Sequence, residues 1–136
     1  MAAFTKFYAF VEALAEKKHN LGSDVLTIFL TNTAPAQSNA MLSDITQISY
    51  TNCSPRVLTV VSSAQSGGTY KLVVDPLTLS AVGGSVGPFR YVGIYNDTAS
   101  NDELIGFYDH GAEVTMTDGS IFELPFSALD GVLTLA

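Results

Sequence analysis

The side chains that could do chemistry are few and scattered. Asp109-His110 is the one acid–histidine neighbour pair, and His19 is the other of two histidines. A Ser–His–acid triad needs its imidazole held between a hydroxyl nucleophile and an orienting carboxylate. No G-x-S-x-G elbow accompanies this pair, and His110 before Gly111 reads as a turn histidine. Asp97, Asp102 and Glu103, with Asn96 and Asn101, form an oxygen-rich loop. Calcium takes about 6–8 oxygen ligands, but the spacing fits no EF-hand loop, and solvated turn residues give the same pattern. Asp75, Asp109, Glu113 and Glu123 are carboxylates of the kind a glycosidase opposes across a cleft at about 5–9.5 Å. Any acidic β-protein offers as many. Gly83, Gly84 and Gly87 lead into a strand and not into a helix N-terminus, so they make no phosphate cradle. Tyr and Phe could line a sugar-binding face, yet the chain has no Trp. Cys53 stands alone, which rules out an intrachain disulfide and cysteine-based zinc sites. It reads as a small, partly buried loop residue. No catalytic residue, cofactor or metal ligand is assigned, and no enzymatic activity is expected.

The bulk composition points the same way. The 136 residues fit one domain, and a domain of that size buries roughly 68–70% of its unfolded surface. Hydrophobic residues make up 47%, enough for a real core, while the charged fraction of 14% lies below the ordinary value of about 25%. A surface partly covered by a partner, or one rich in hydroxyls and amides, explains that deficit. The net charge of −7, with only six Lys and Arg, argues against free nucleic acid as a partner. Lys6, Glu12 and Glu16 interrupt the first apolar run, so a signal peptide is not expected. No stretch approaches the ~20 apolar residues of a membrane span. Synthesis in a cytoplasm without export is the expectation, and the Asn52-Cys53-Ser54 and Asn96-Asp97-Thr98 triplets are read as chance matches to glycosylation acceptors.

The elements that must position these residues follow from periodicity. Residues 3–18 read as one amphipathic helix, with Phe4, Phe7, Tyr8, Val11, Leu14 and Ala15 on one face. Phe10 falls outside that stripe and is a candidate partner contact. Lys17, Lys18 and His19 place positive charge at the helix end, and Asn20 and Gly22 are suited to closing it. Residues 24–31 are apolar on both faces around Thr27, as in a strand covered on two sides. Residues 32–56 form a long loop or arm, where Met41, Leu42, Ile45 and Ile48 have near-helical spacing. A short helix from Ser43 or Asp44, or an extended arm lying on another protein, fits them equally. From residue 57 to 135 short strands alternate with turn signals at Ser66-Gly67-Gly68, Gly83-Gly84-Ser85, Asp118-Gly119 and Asp130-Gly131, the third being a two-residue hairpin signal. Two aromatic-rich runs, Phe89/Tyr91/Tyr95 and Phe107/Tyr108, flank the loop from Asn96 to Glu103. The odd numbering of the first predicts one aromatic face. The expected fold is mainly β, a β-sandwich or jelly-roll-like domain with one N-terminal amphipathic helix.

Six blocks add a resemblance that spans nearly the whole chain. In order they are HNLGSDVLTIFLTNTAP, SDITQISYTN, GPFRYVGIYNDT, LIGFYDHG, TDGSIFELPF and DGVLTLA. The set resembles small virion structural proteins of tailed bacteriophages, and by size, acidity and β-rich make-up it looks most like capsid decoration, or cement, proteins. The resemblance implies a protein that binds the outer surface of the major capsid shell as a dimer or trimer and reinforces it, with no catalytic residues. A head fibre, neck or tail component, or a glycan-binding adsorption module, is the alternative role. The interface expected on this reading involves the helix, with Phe10, and the arm, with Met41, Leu42, Ile45 and Ile48.

Overall fold

The computed structural model describes residues 2–136. The chain is mainly β, with antiparallel sheets and one short helix near the N-terminus in a sandwich-like arrangement. In chain order the elements are β1 (Thr5–Lys6), α1 (Tyr8–Ala15), β2 (Leu26–Thr31), a single 3-10 turn (Leu42–Asp44), β3 (Val60–Ser66), β4 (Thr69–Val74), β5 (Leu77–Ser80), β6 (Val86–Asn96), β7 (Leu104–Met116), β8 (Ile121–Leu124) and β9 (Leu133–Leu135). One sheet runs β1-β7-β6-β2, a second β3-β4-β9 and a third β5-β8. Leu26, Ile28 and Leu30 of β2 share a core with Phe89, Val92 and Ile94 of β6, Leu72 and Val74 of β4, Leu79 of β5 and Leu124 of β8. The two smaller sheets therefore close one face of the four-stranded sheet.

Residue alternation sends the other side chains of β2 to the opposite face. There Phe29 joins Phe7, Ile45, Tyr95 and Leu104 in a second, smaller cluster. Every residue of β2 is buried, as its two-sided apolar sequence predicts. Phe29 pairs with Gly93 across the ladder, and a Cβ at Gly93 would collide with the Phe29 ring. The glycine is what lets an aromatic ring lie flat over β6.

Three expectations need correction. The helix is Tyr8–Ala15 and not residues 3–18, because Thr5 and Lys6 pair with Phe107 and Gly106 of β7. Extended backbone sends Phe4 towards Tyr108 and the larger core, and Phe7 into the smaller cluster. The helical stripe consequently shifts: Phe10 and Ala13 are buried, while Tyr8 and Val11 are exposed. Lys17 at φ 68°, and not Asn20 or Gly22, takes the left-handed turn that ends the helix.

The single aromatic face of β6 is also absent. Register shifts between Val86 and Phe89, Phe89 and Tyr91, and Ile94 and Tyr95 reset the alternation. Phe89 thus enters the larger core and Tyr95 the smaller one. Gly87, at φ 120° beside the first bulge, could not carry a Cβ, which would lie 2.8 Å from the Val114 carbonyl oxygen. Finally, Asp118-Gly119 makes a turn, with Ser120 N–H donating to Thr117 O, but not a hairpin. β8 turns away from β7 to pair with β5.

Candidate interaction surface

Segment 32–56 packs on its own chain. Ala40 and Leu42 exchange backbone hydrogen bonds with Leu104 and Asp102, and Met41 bridges Glu103 beside β7. Further on, Ile48 N–H donates to Leu30 O, and Leu30 N–H donates to the Tyr50 hydroxyl at 2.9 Å. Arg56 lies over the Tyr50 ring and donates to Ile28 O, and Leu58 N–H reaches Leu26 O. This run satisfies the outer edge of β2, which would otherwise present unpaired backbone groups. The length of the loop has a physical reason: it is edge cover.

The expected interface residues separate accordingly. Phe10 is 2% exposed and Ile45 is 9% exposed, both inside the fold's own clusters, and Ile48 packs against the larger core. Phe10 and Ile45 are thus not free to touch a partner on the folded surface, while Ile48 is half-buried. The reading of Phe10 as an outlying contact is therefore corrected, and the arm lies along its own chain. Met41 and Leu42 remain half-buried. The helix offers Tyr8 and Val11 instead, 64% and 51% exposed and three residues apart on one helical face. Tyr8 N–H donates to Gln37 O, and the Gln37 side-chain amide donates to Lys6 O. A small cleft of about 220 Å³ runs between the two segments, lined by Glu12, Glu16 and Lys18 on one side and Met41, Asn101 and Glu103 on the other. Helix and arm thus adjoin, with the cleft between them.

The chemical candidates do not assemble. The Asp109 carboxylate is held by Arg90, at 2.8 and 3.1 Å, and by Gly111 N–H. The Arg90 contact and the Gly111 amide hold its carboxyl below the usual range. His110, the next residue, turns to the other side of the strand, with its ring edge-on to Phe122. Glu113 accepts a hydrogen bond from Asn32. Cys53 is half-buried against the larger core, and burial pushes its thiol up, towards the unreactive form. No group of three or more His, Cys, Asp or Glu side chains among the described residues could hold a metal ion.

The chain was compared with known proteins. It matches no family model, no curated protein and no solved structure. Among the described residues no helix is long and apolar enough to cross a membrane.

One polar site escaped the sequence reading. Asn96, fully buried at the end of β6, accepts from Thr98 and Ala99 N–H through Oδ1 and donates through Nδ2 to Asp24 Oδ2 at 2.7 Å and His19 Nδ1 at 3.0 Å. His19 is 6% exposed, its ring tilted against Phe10, and its Nε2 has no partner among the described residues. The signal was an Asn at a strand end with Thr two residues on, the pattern of a side chain folding back on its own turn. A partner 77 residues away leaves no local trace.

Proposed function

We propose that this chain is a non-enzymatic capsid decoration protein of a tailed bacteriophage, a homo-oligomer that sits on the exterior of the major capsid shell. One observation carries the reading: α1 and the arm are joined through Tyr8 N–H and Gln37 O, and between them they carry exposed Tyr8 and Val11 and half-buried Met41 and Leu42. Aromatic side chains with an aliphatic surround are what interface centres are made of. The surface rests on a sheet buried on both faces, so little ordering cost would fall on docking. The resemblance of the six sequence blocks to virion structural proteins supports the same reading. On a shell, symmetry repeats a modest contact many times, so a small free energy per site suffices.

The test is a count of this chain per purified virion against the major capsid protein. Near-stoichiometric abundance is the expected result. A dozen copies or fewer would move the protein to a neck, tail or fibre, and absence from the particle would overturn a virion role.

A further inference from the structure

The His19–Asn96 contact is built so that only one protonation state of the histidine fits. Both lone-pair positions of Asn96 Oδ1 are taken by the Thr98 and Ala99 amides, at 3.0 and 3.1 Å. The Asn96 amide therefore cannot turn over, and its Nδ2 must present hydrogen to His19 Nδ1. Nδ1 accepts, and in the neutral ring the proton sits on Nε2. A protonated ring would set a second N–H against the Asn96 N–H₂, with Nε2–H still unpartnered in a buried place.

The two carboxylates nearest the ring are each already engaged through one oxygen. Asp24 Oδ2 already accepts from Asn96 and from Asn20 N–H. Glu103, 8% exposed before β7, accepts from Asn101 N–H. Lys17 and Lys18 precede His19 in the chain, Glu12 lies on α1 and Glu16 just after it, Asp97 and Asp102 belong to the loop after β6, and Tyr70 of β4 lines the same shallow cleft as His19. The Phe10 ring, from α1, covers one side at 5.2 Å between centroids.

We propose that His19 is a pH-sensitive latch: neutral, it pins α1 and the turn after it to the loop following β6, and protonated, it leaves Asn96 and lets α1 swing off the sheet. The inference concerns the chain's own fold and stands whether or not a capsid shell is the partner. Burial lowers the imidazole from its ordinary value of 6.5, against the opposing pull of Glu103 and Asp24. The released state then binds the extra proton more tightly than the docked one. Docking is fully present above pH 6.5 and weakens as pH falls through the lowered value, by up to about tenfold per pH unit for one proton.

The experiment is a ¹⁵N NMR titration of the full chain from pH 8 to 4.5, read together with amide exchange corrected for intrinsic rate. The expected result is a neutral His19 protonated on Nε2, titrating below 6.5, with protection of the α1 amides falling in step while β2 and β6 stay protected. An Nδ1-protonated neutral ring, or a protonated His19 with α1 still protected, would overturn the proposal. His19→Asn offers Asn96 an amide oxygen in place of Nδ1 and should remove the step. If the step persists in H19N, the carboxylates carry it and the latch is wrong. If H19N does not fold, the wild-type titration decides alone.

Discussion

The two faces of the β1-β7-β6-β2 sheet are closed by different means. One is covered by other strands, β4, β5, β8 and β9, whose alternating side chains interlock with Leu26, Ile28 and Phe89. The other is covered by irregular chain: Phe7, just before the helix, and Ile45 of the arm close over Phe29, Tyr95 and Leu104. The strand-covered face is a cooperative core. The other is a lid made of the segments that carry exposed Tyr8 and Val11 and half-buried Met41 and Leu42. Stability is concentrated on the first face, and the exposed surface of interest is mounted on the second.

The sharpest way to break this comparison is to remove one ring from each face. Phe89 and Phe7 are both fully buried and both pack on aromatic neighbours, Phe122 for the first and Phe107 for the second. Phe89→Ala should cost about 4–5 kcal/mol and lower the whole unfolding transition, because its site is walled by two sheets and cannot collapse. Phe7→Ala should cost about 3 kcal/mol, since the chain around it can relax into the gap. Hydrogen exchange should then show lost protection confined to Thr5–Ala15 and the Ala40–Ile45 contacts. Equal, global losses for both variants would mean that the two faces form one cooperative unit.

The smallest effect belongs to the exposed half of β7. The Arg90–Asp109 pair is about half exposed on both partners, and such pairs contribute little. Asp109→Asn should leave the urea midpoint at pH 7 unchanged. Because the Asp109 carboxyl lies below its ordinary value, the wild-type pair is fully formed above that value and is lost as pH falls through the lowered one. Asp109→Asn should remove only that slight acid-side slope. A clear loss at pH 7 would show that this pair is a structural joint between β6 and β7.

The contrast between the faces also explains what could be read from the chain. Strand-covered elements announce themselves: β2 is apolar on both sides, β3 and β4 flank a Gly67-Gly68 turn, and Pro76 separates β4 from β5. Their partners are supplied by regular ladders, so period alone suffices. The lid has no period. Phe4 and Phe7 have helical spacing yet lie in extended chain, because Gly106 leaves a seat for the Phe4 ring that only the fold reveals. Met41, Leu42, Ile45 and Ile48 share one spacing, but only Ile45 is buried, while Met41, Leu42 and Ile48 stay half out. The bulges of β6 reset its alternation through backbone geometry at Gly87, and the His19–Asn96 pair spans 77 residues. None of these is a local property.

The central claim is that the helix-and-arm surface docks on a capsid shell, and the most direct measurement is co-sedimentation with purified shells lacking this chain. Wild type should bind saturably, at a fixed ratio to the major capsid protein. The double variant Tyr8→Asp, Val11→Asp, which alters only exposed side chains, should keep its melting transition and bind at least about tenfold more weakly, as loss of an interface centre requires. Undiminished binding by the folded double variant, or no binding by wild type, would contradict the account.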